Sequence, residues 1–434
     1  MSEKLSVFWF RRDLRVADNH GLYKALVSGN KVLPIFIFDT AILSQLENKE
    51  DRRVDFIFQA LNHINAQLQK TGKSVKIFHG KPLEVFQEIC EKHPVEKVFC
   101  NEDYEPSAIK RDLAVAEFLN SKKIGFQSFK DQVHFHKDEI LKSDNTPYTV
   151  YTPYSKQWLL KYNEVAQTNY PSEDYLQNLE NVETPEFSLE EIGFRSKGIN
   201  FQPPEINAEI LKHYHETRNV PSTKTSEMSV HLRFGTISVR ELARKAKELN
   251  ETYLKELIWR EFFMQILYHF PKVVHYSFKA KYDRISWIND PENLKKWQTG
   301  KTGYPLVDAG MRELNETGLM HNRVRMVCAS FLTKHLLTDW RIGEAYFAEK
   351  LLDYDLSANN GNWQWSAGSG CDAAPYFRVF NPEEQQKKFD PDFVYIKKWV
   401  REFGTSAYPK PMIDHKFARE RALETYKKGL QELL

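Results

Sequence analysis

A chain of 434 residues, 41% hydrophobic and 28% charged, has room for two or three domains, and its ordinary composition excludes a disordered, collagen-like or coiled-coil protein. The net charge of +2 hides an asymmetry. Residues 1–130 hold 20 Lys/Arg against 17 Asp/Glu, residues 131–210 hold 6 against 14, and residues 211–434 hold 35 against 28, so a polyanion is expected on the C-terminal half.

In chain order, Ser6–Phe10, Val32–Phe38, Val75–Phe78 and Val98–Cys100 are near-continuous apolar runs, the pattern of parallel strands covered on both faces. Arg53–Lys70 and Ile109–Leu119 carry apolar residues at helical spacing between them. This alternation predicts a doubly wound α/β domain over residues 1–130. No GxGxxG follows the first strand and no GxxxxGK[ST] occurs, so a dinucleotide fingerprint and a P-loop are both absent.

Residues 131–210 turn rich in Pro, Asn and acidic side chains (Asn169–Asp174, Asn181–Glu186, Phe201–Glu205). They are expected to form an inter-domain connection with one helix near Tyr154–Val165. From 211 to 434 helical periodicity takes over: Val239–Leu249, Tyr253–Phe270, Val307–Leu314, Arg323–Leu337, Ile342–Leu352 and Ala418–Leu430. Pro271, Pro291, Gly300, Gly303 and Asn359-Asn360-Gly361 are expected to break them, giving an all-helical domain of ten or more helices.

Cys90, Cys100, Cys328 and Cys371 form no CxxC pair and suit reduced thiols in a cytoplasmic chain. No apolar run approaches the ~18 residues of a membrane span, and Leu5–Phe10 is too short for a secretion signal. A metal site is not expected: Asp353-Tyr354-Asp355-Leu356-Ser357 faintly resembles a calcium loop, but Ala358 stands where its glycine belongs and Gln364 where its glutamate belongs.

Three segments remain. Thr225-Ser226-Glu227-Met228-Ser229 places hydroxyls where free N–H groups at a helix start can hold an anion, although such clusters are more often plain caps. Glu256, Trp259 and Arg260 share a helix, where a surface ion pair beside a core Trp is the simpler reading. Between Asp353 and Trp365 lie two carboxylates, four amides and two tryptophans, too polar and too aromatic for a core turn. A flavin edge would satisfy the polar groups, and the indoles would supply stacking surface.

Arg11-Arg12-Asp13-Leu14-Arg15, Trp259-Arg260-Glu261-Phe262, Gly300-Lys301-Thr302-Gly303-Tyr304-Pro305-Leu306-Val307-Asp308, Met320-His321-Asn322-Arg323, Asn359-Asn360-Gly361-x-Trp363-Gln364-Trp365 and Tyr408-Pro409-Lys410-Pro411 together resemble the DNA photolyase/cryptochrome family over nearly the whole chain. The likeness is greatest to bacterial class I cyclobutane pyrimidine dimer photolyases. It implies an antenna-type α/β domain, a linker and a helical FAD-binding catalytic domain. The implied activity is light-driven splitting of pyrimidine dimers in ultraviolet-damaged DNA, by electron transfer from excited reduced FAD to a flipped-out dimer.

Carried over by motif, the resemblance assigns Tyr214, Thr225, Ser226, Glu227, Met228, Ser229, Tyr253, Arg260, Arg325, Asp353, Tyr354, Asp355 and Asn359 to FAD. Arg325 is expected to pair with Asp353, and Asn359 to face the flavin N5. Trp287, Trp340 and Trp363 match the electron-transfer row; Trp297 and Trp399 are assigned to structure. Trp259 and Trp365 resemble the pair that stacks on the dimer, Glu256 and Asn322 the hydrogen-bonding pair, and Met326 an apolar wall. Arg218, Arg260, Arg323, Arg378 and Gln385 are the expected DNA contacts.

Asn322, Met326 and Asn359 resemble the dimer-repairing type, and the alternative is a cryptochrome-type flavin photoreceptor without repair. Asn362 replaces a usual Gly before Trp363 and is expected to alter a turn near the flavin. A second, antenna chromophore of folate or deazaflavin type is expected near Glu105, with the two chemistries left open. A monomer acting without metal or membrane completes the expectation.

Overall fold

The structure, a computed structural model, describes residues 4–165, 168–183 and 187–431. Contacts divide the chain into one unit of Met1–Ile140, Leu159–Ile206 and Glu227–Glu248, and another of Leu141–Trp158, Asn207–Ser226 and Leu249–Leu434. The stretch 131–210 is therefore shared between the units, and residues 184–186 of its Pro-containing cluster lie outside the described residues.

In the first unit the apolar runs become β1 (Leu5–Phe10), β2 (Lys31–Asp39), β3 (Lys76–Gly80) and β4 (Val95–Asn101), joined by β5 (Gly125–Phe129). All pair in parallel in the order β3-β2-β1-β4-β5. Helices α1 (His20–Leu26), α2 (Arg52–Leu68), α3 (Pro82–Lys92) and α4 (Pro106–Ser121) alternate with the strands, which makes the domain doubly wound. Val7, Trp9, Leu33, Ile35, Val98 and Cys100 from the three central strands meet Phe86, Ile89, Val115 and Leu119 in one core. The sequence patterns miss β5, because an outermost strand with Gln127 and Ser128 exposed lacks an apolar run. They also miss α1 and α3, although α3 has a proline at its first position.

Helix α5 (Tyr151–Glu164) is divided between the units, and α6 (Met228–Phe234) and α7 (Val239–Leu249) follow. Within the first unit Arg240 and Arg15 share the buried Asp131, at 2.9 Å and 2.7 Å. Burial pushes that carboxyl up, but the two guanidiniums outweigh it and hold Asp131 below the usual carboxylate range.

The second unit holds α8 (Glu251–His269), α9 (Pro291–Gln298), α10 (Pro305–Thr317), α11 (Asn322–Ser330), α12 (Trp340–Lys350), α13 (Leu356–Ala367), α14 (Pro382–Phe389), α15 (Val394–Trp399) and α16 (His415–Leu430), and one core draws on α9 to α13 and α15. Caps fix several starts: Asn250 accepts from Thr252 N at 2.9 Å, Asp339 from Arg341 N at 3.0 Å and Asp414 from Phe417 N at 2.8 Å. Among the described residues no helix is long and apolar enough to cross a membrane.

Two expectations fail here. Asn359-Asn360-Gly361 lie inside α13 and break nothing. Asn359 and Asn360 donate outside the helix, to Glu344 O at 3.1 Å and Val273 O at 2.8 Å, so their amides do not compete for their own helix's backbone. The helix expected over Arg323–Leu337 stops at Ser330 and widens into a π-turn, Phe331–His335.

That turn buries Lys334. Its Nζ donates to Ala367 O at 3.0 Å and Tyr376 O at 3.3 Å and lies 3.7 Å from the Tyr426 ring centre. Burial lowers the ammonium to about 7 from the ordinary 10.5. Between those values the unfolded chain binds the extra proton, so this group makes stability rise with pH from about 7 to about 10.5. Lys334→Met is therefore expected to flatten the pH dependence of unfolding free energy in that window by up to about 1.4 kcal/mol per pH unit, measured by denaturant titration at pH steps.

The two motifs Gly300–Asp308 and Tyr408–Pro411 meet. Gly303 sits at φ +77°, and a Cβ there would lie 2.3 Å from Lys410 O, so only glycine fits. Asp308, wholly buried, accepts from Thr302 N and Thr302 Oγ1, both at 2.7 Å, Gly303 N at 3.0 Å and Tyr408 OH at 2.6 Å.

Candidate functional site

One cavity of the second unit collects eight of the residues singled out by motif: Asn322, Arg325, Met326, Asp353, Asp355, Asn359, Trp363 and Trp365. Helix α11 supplies the first three. His321 caps it, its ring accepting from Arg323 N at 3.1 Å; burial, then Arg325 and Arg323, lower that imidazole to about 4 and keep it a neutral acceptor at pH 7. Helix α13 and the turn before it, which carries Asp353, supply the rest of the polar wall. Asp355 is its cap, accepting from Ala358 N at 3.1 Å, and Asn359 comes one turn later.

Arg325 Nη2 reaches both oxygens of Asp353, at 2.9 Å and 3.1 Å, while its Nε donates to Met320 O at 2.8 Å. Asn359 donates its amide to Glu344 twice, at 2.8 Å to the carboxylate and 3.1 Å to the backbone carbonyl. Its side-chain oxygen, on the cavity wall, accepts from no described group. Burial pushes the Glu344 carboxyl up, and Asn359 and Tyr354 pull against it. Asn362 is exposed on the same wall and donates to Ala358 O at 2.7 Å; it continues the helix, so the turn expected there does not exist.

Met326, Ala329, Phe347, Leu351 and Trp363 make the apolar lining. A flat apolar body with a polar edge carrying both N–H and C=O groups fits this donor set. The guanidinium–carboxylate pair and the open amide oxygen of Asn359 answer the edge, and the lining answers the ring. Trp363 can lie this deep because Gly343 leaves space: a Cβ there would come within 2.2 Å of its indole.

A second cluster surrounds the first half of α8. Tyr253 is buried, its hydroxyl 2.9 Å from Ser226 Oγ, and Tyr214 packs edge-on to it with centroids 5.0 Å apart. Arg218 pairs with Glu256 at 2.8 Å. Burial raises the Glu256 carboxyl, with Arg218 opposing. Trp259 is half-buried and lies parallel to Tyr151 at 3.6 Å and 6°. Arg260 follows it, half-buried. Tyr354 is half-buried against the helical core.

Other candidates stand apart from the cavity wall. Thr225 is exposed and belongs to the second unit with Ser226, whereas Glu227, Met228 and Ser229 fall in the first, with Glu227 in a left-handed conformation before α6. Arg323 donates to Asn219 Oδ1 at 2.6 Å and covers the Phe389 ring at 4.4 Å. Arg378 is exposed over Phe380, and Gln385 on α14 keeps a buried side-chain oxygen without a hydrogen-bond partner. Trp340 and Trp363 share one buried core, and Trp287 packs at its margin. Trp297, assigned to structure, also lies there, 6.2 Å from Trp363, and donates to Cys328 O at 3.1 Å. In the first unit Glu105 is held by Arg12 at 2.9 Å and Arg233 at 3.0 Å. Glu344 and Tyr151 escape the motif reading; each acts through a partner distant in sequence, and no local pattern announces it.

These features describe a flavin-binding protein of α/β-plus-helical build, and comparison with known proteins agrees. The model for the FAD-binding domain of DNA photolyase matches residues 253–406, and the DNA photolyase model matches residues 6–172. The chain belongs to the DNA photolyase/cryptochrome family. It is 34% identical to the deoxyribodipyrimidine photo-lyase of Halobacterium salinarum, over 98% of this chain and 99% of that protein. The crystal structure of a class III photolyase from Agrobacterium tumefaciens superposes with a TM-score of 0.88 at 31% identity, covering 99% of this chain and 98% of that one. An archaeal photolyase from Sulfolobus tokodaii, solved with two FAD molecules, gives 0.79 at 33% identity, covering 98% and 100%. The motifs resemble class I, whereas the Agrobacterium structure is a class III photolyase.

Proposed function

We propose that the protein is a light-driven photolyase that splits cyclobutane pyrimidine dimers in DNA. One observation supports this above the others: a single cavity is lined both by residues matched to the flavin (Arg325, Asp353, Asp355, Asn359) and by residues matched to the lesion (Asn322, Met326, Trp365). Bound and fully reduced, FAD supplies a light-excited one-electron donor.

The chain's own groups do the rest. Arg325, Asp353, Asp355 and Asn359 orient the isoalloxazine edge, and Tyr214, Ser226 and Tyr253, with Thr225, Glu227, Met228, Ser229, Arg260 and Tyr354, complete the cofactor set. A dimer reaches the cavity only when flipped from the duplex. From the cavity wall Trp365 stacks on it, Met326 closes one side and Asn322 answers its carbonyls and imides, while Trp259 and Glu256 of the α8 cluster supply the second stacking ring and the second hydrogen-bonding group. Burial raises the Glu256 carboxyl while its partner Arg218 opposes. Arg218, Arg260, Arg323, Arg378 and Gln385 would meet the flanking backbone, so binding weakens as salt rises. Trp287, Trp340 and Trp363 form the proposed electron relay. The sheet domain, residues 1–130 with Glu105, is proposed to carry an antenna chromophore, and the protein to act as a monomer in the cytoplasm.

The test is direct. FAD-loaded, reduced protein is mixed with oligothymidine carrying ultraviolet dimers and illuminated with blue light. Recovery of the oligonucleotide's ultraviolet absorbance, with none in the dark, is expected. Intact dimers after illumination of fully loaded protein would overturn repair and leave the photoreceptor reading.

A further inference from the structure

Trp259 needs its ring plane held if it is to stack on a flipped base, and its own helix does only part of this. Phe262 meets it edge-on at 5.6 Å and Phe263 lies tilted at 5.5 Å. The plane itself is set from more than a hundred residues earlier in the sequence. Tyr151, the first residue of α5, lies parallel to the indole at 3.6 Å and 6°. Its own edge rests against Phe262, with centroids 5.9 Å apart at 77°.

Tyr151 is fixed at both ends. Its hydroxyl donates to Lys255 O at 2.9 Å, one turn before Trp259 on α8, and its backbone N–H donates to Asp372 Oδ2 at 3.0 Å. Asp372 lies in the irregular segment, residues 368–381, that carries Arg378. Burial raises the Tyr151 hydroxyl, with Ser155 opposing. A side chain tethered in this way does not swing aside as a gate; it backs its partner.

We infer that Tyr151 is a positioning residue for lesion recognition, fixing the plane of Trp259 and tying it, through Asp372, to the segment bearing Arg378. The inference rests on the reading of Trp259 as a lesion-stacking residue. An aromatic pair of this kind is worth about a three- to tenfold change in an equilibrium constant.

The experiment compares native protein, Tyr151→Leu, Tyr151→Phe and Trp259→Ala, all loaded with FAD, on duplexes with and without one thymine dimer. Tyr151→Leu is expected to lose about three- to tenfold of the preference for damaged over undamaged DNA, with flavin content and repair yield per bound lesion unchanged. Tyr151→Phe keeps the ring and is expected within about twofold of native. The inference is overturned if Tyr151→Leu keeps native preference, if it weakens both duplexes equally, or if Tyr151→Phe loses as much. Should Tyr151→Leu fail to load flavin, Tyr151→Met provides the same comparison. If Trp259→Ala itself keeps the native preference, the reading of Trp259 fails instead.

Discussion

Trp259→Ala is expected to lower affinity for dimer-containing DNA by one to two orders of magnitude while FAD stays bound. Stacking on an aromatic side chain is worth about 1–3 kcal/mol per base, and the proposed lesion presents two fused bases. The proposed flavin contacts lie elsewhere: Arg325, Asp353, Asp355 and Asn359 line the cavity from α11, α13 and the turn before α13, whereas Trp259 sits on α8 against Tyr151, Phe262 and Phe263. Truncation leaves a gap beside Tyr151 and removes no partner from any buried charge. The measurement is a binding titration with damaged and undamaged duplexes at fixed salt, beside the flavin spectrum. Loss of flavin together with affinity would move Trp259 from recognition to scaffolding.

The second large effect concerns stability. Asp308→Ala is expected to cost about 3–5 kcal/mol and to release the flavin on mild warming, because it strands several buried donors at once. Thr302 N, Thr302 Oγ1, Gly303 N and Tyr408 OH all end on this carboxylate. Burial raises the Asp308 carboxyl while Tyr408 and Thr302 lower it, so the site tolerates a group that accepts rather than donates. Asp308→Asn, which keeps the shape but aims an amide N–H at one of those donors, should lie between the two. Thermal melts followed by flavin fluorescence would rank the three proteins, and equal melting temperatures would remove the proposed role of this carboxylate.

Much of this was readable in the residues. β1, β2 and β4 announce themselves as apolar runs because both faces of a parallel sheet are covered, and α2 and α8 do so by helical spacing. β5 does not, since one neighbour and two exposed polar residues ask little of its composition. The break expected at Asn359-Asn360-Gly361 fails for a tertiary reason: local propensity sees two asparagines and a glycine, but cannot see Glu344 and Val273 waiting for the amides. Likewise the π-turn at Phe331–His335 carries Lys334, whose two carbonyl partners are distant in sequence and leave no local pattern. At the site, motif likeness supplied the residue types, while Tyr151, Glu344 and the nearness of Trp297 to Trp363 exist only once the chain is folded.

The tie between Asp308 and Tyr408 reaches beyond the cost of breaking it. Everything that walls the cavity lies between these two residues, so that run of chain is a hoop whose ends are pinned to one another. Lengthening a surface bend within such a hoop adds little entropy cost, because closure scales only with the logarithm of contour length. Displacing either pin would instead be felt by every wall at the same moment. The irregular stretch bearing Arg378 thus has latitude to change length between its ties at Asp372 and Tyr376 and the start of α14 while the floor beneath it keeps its form.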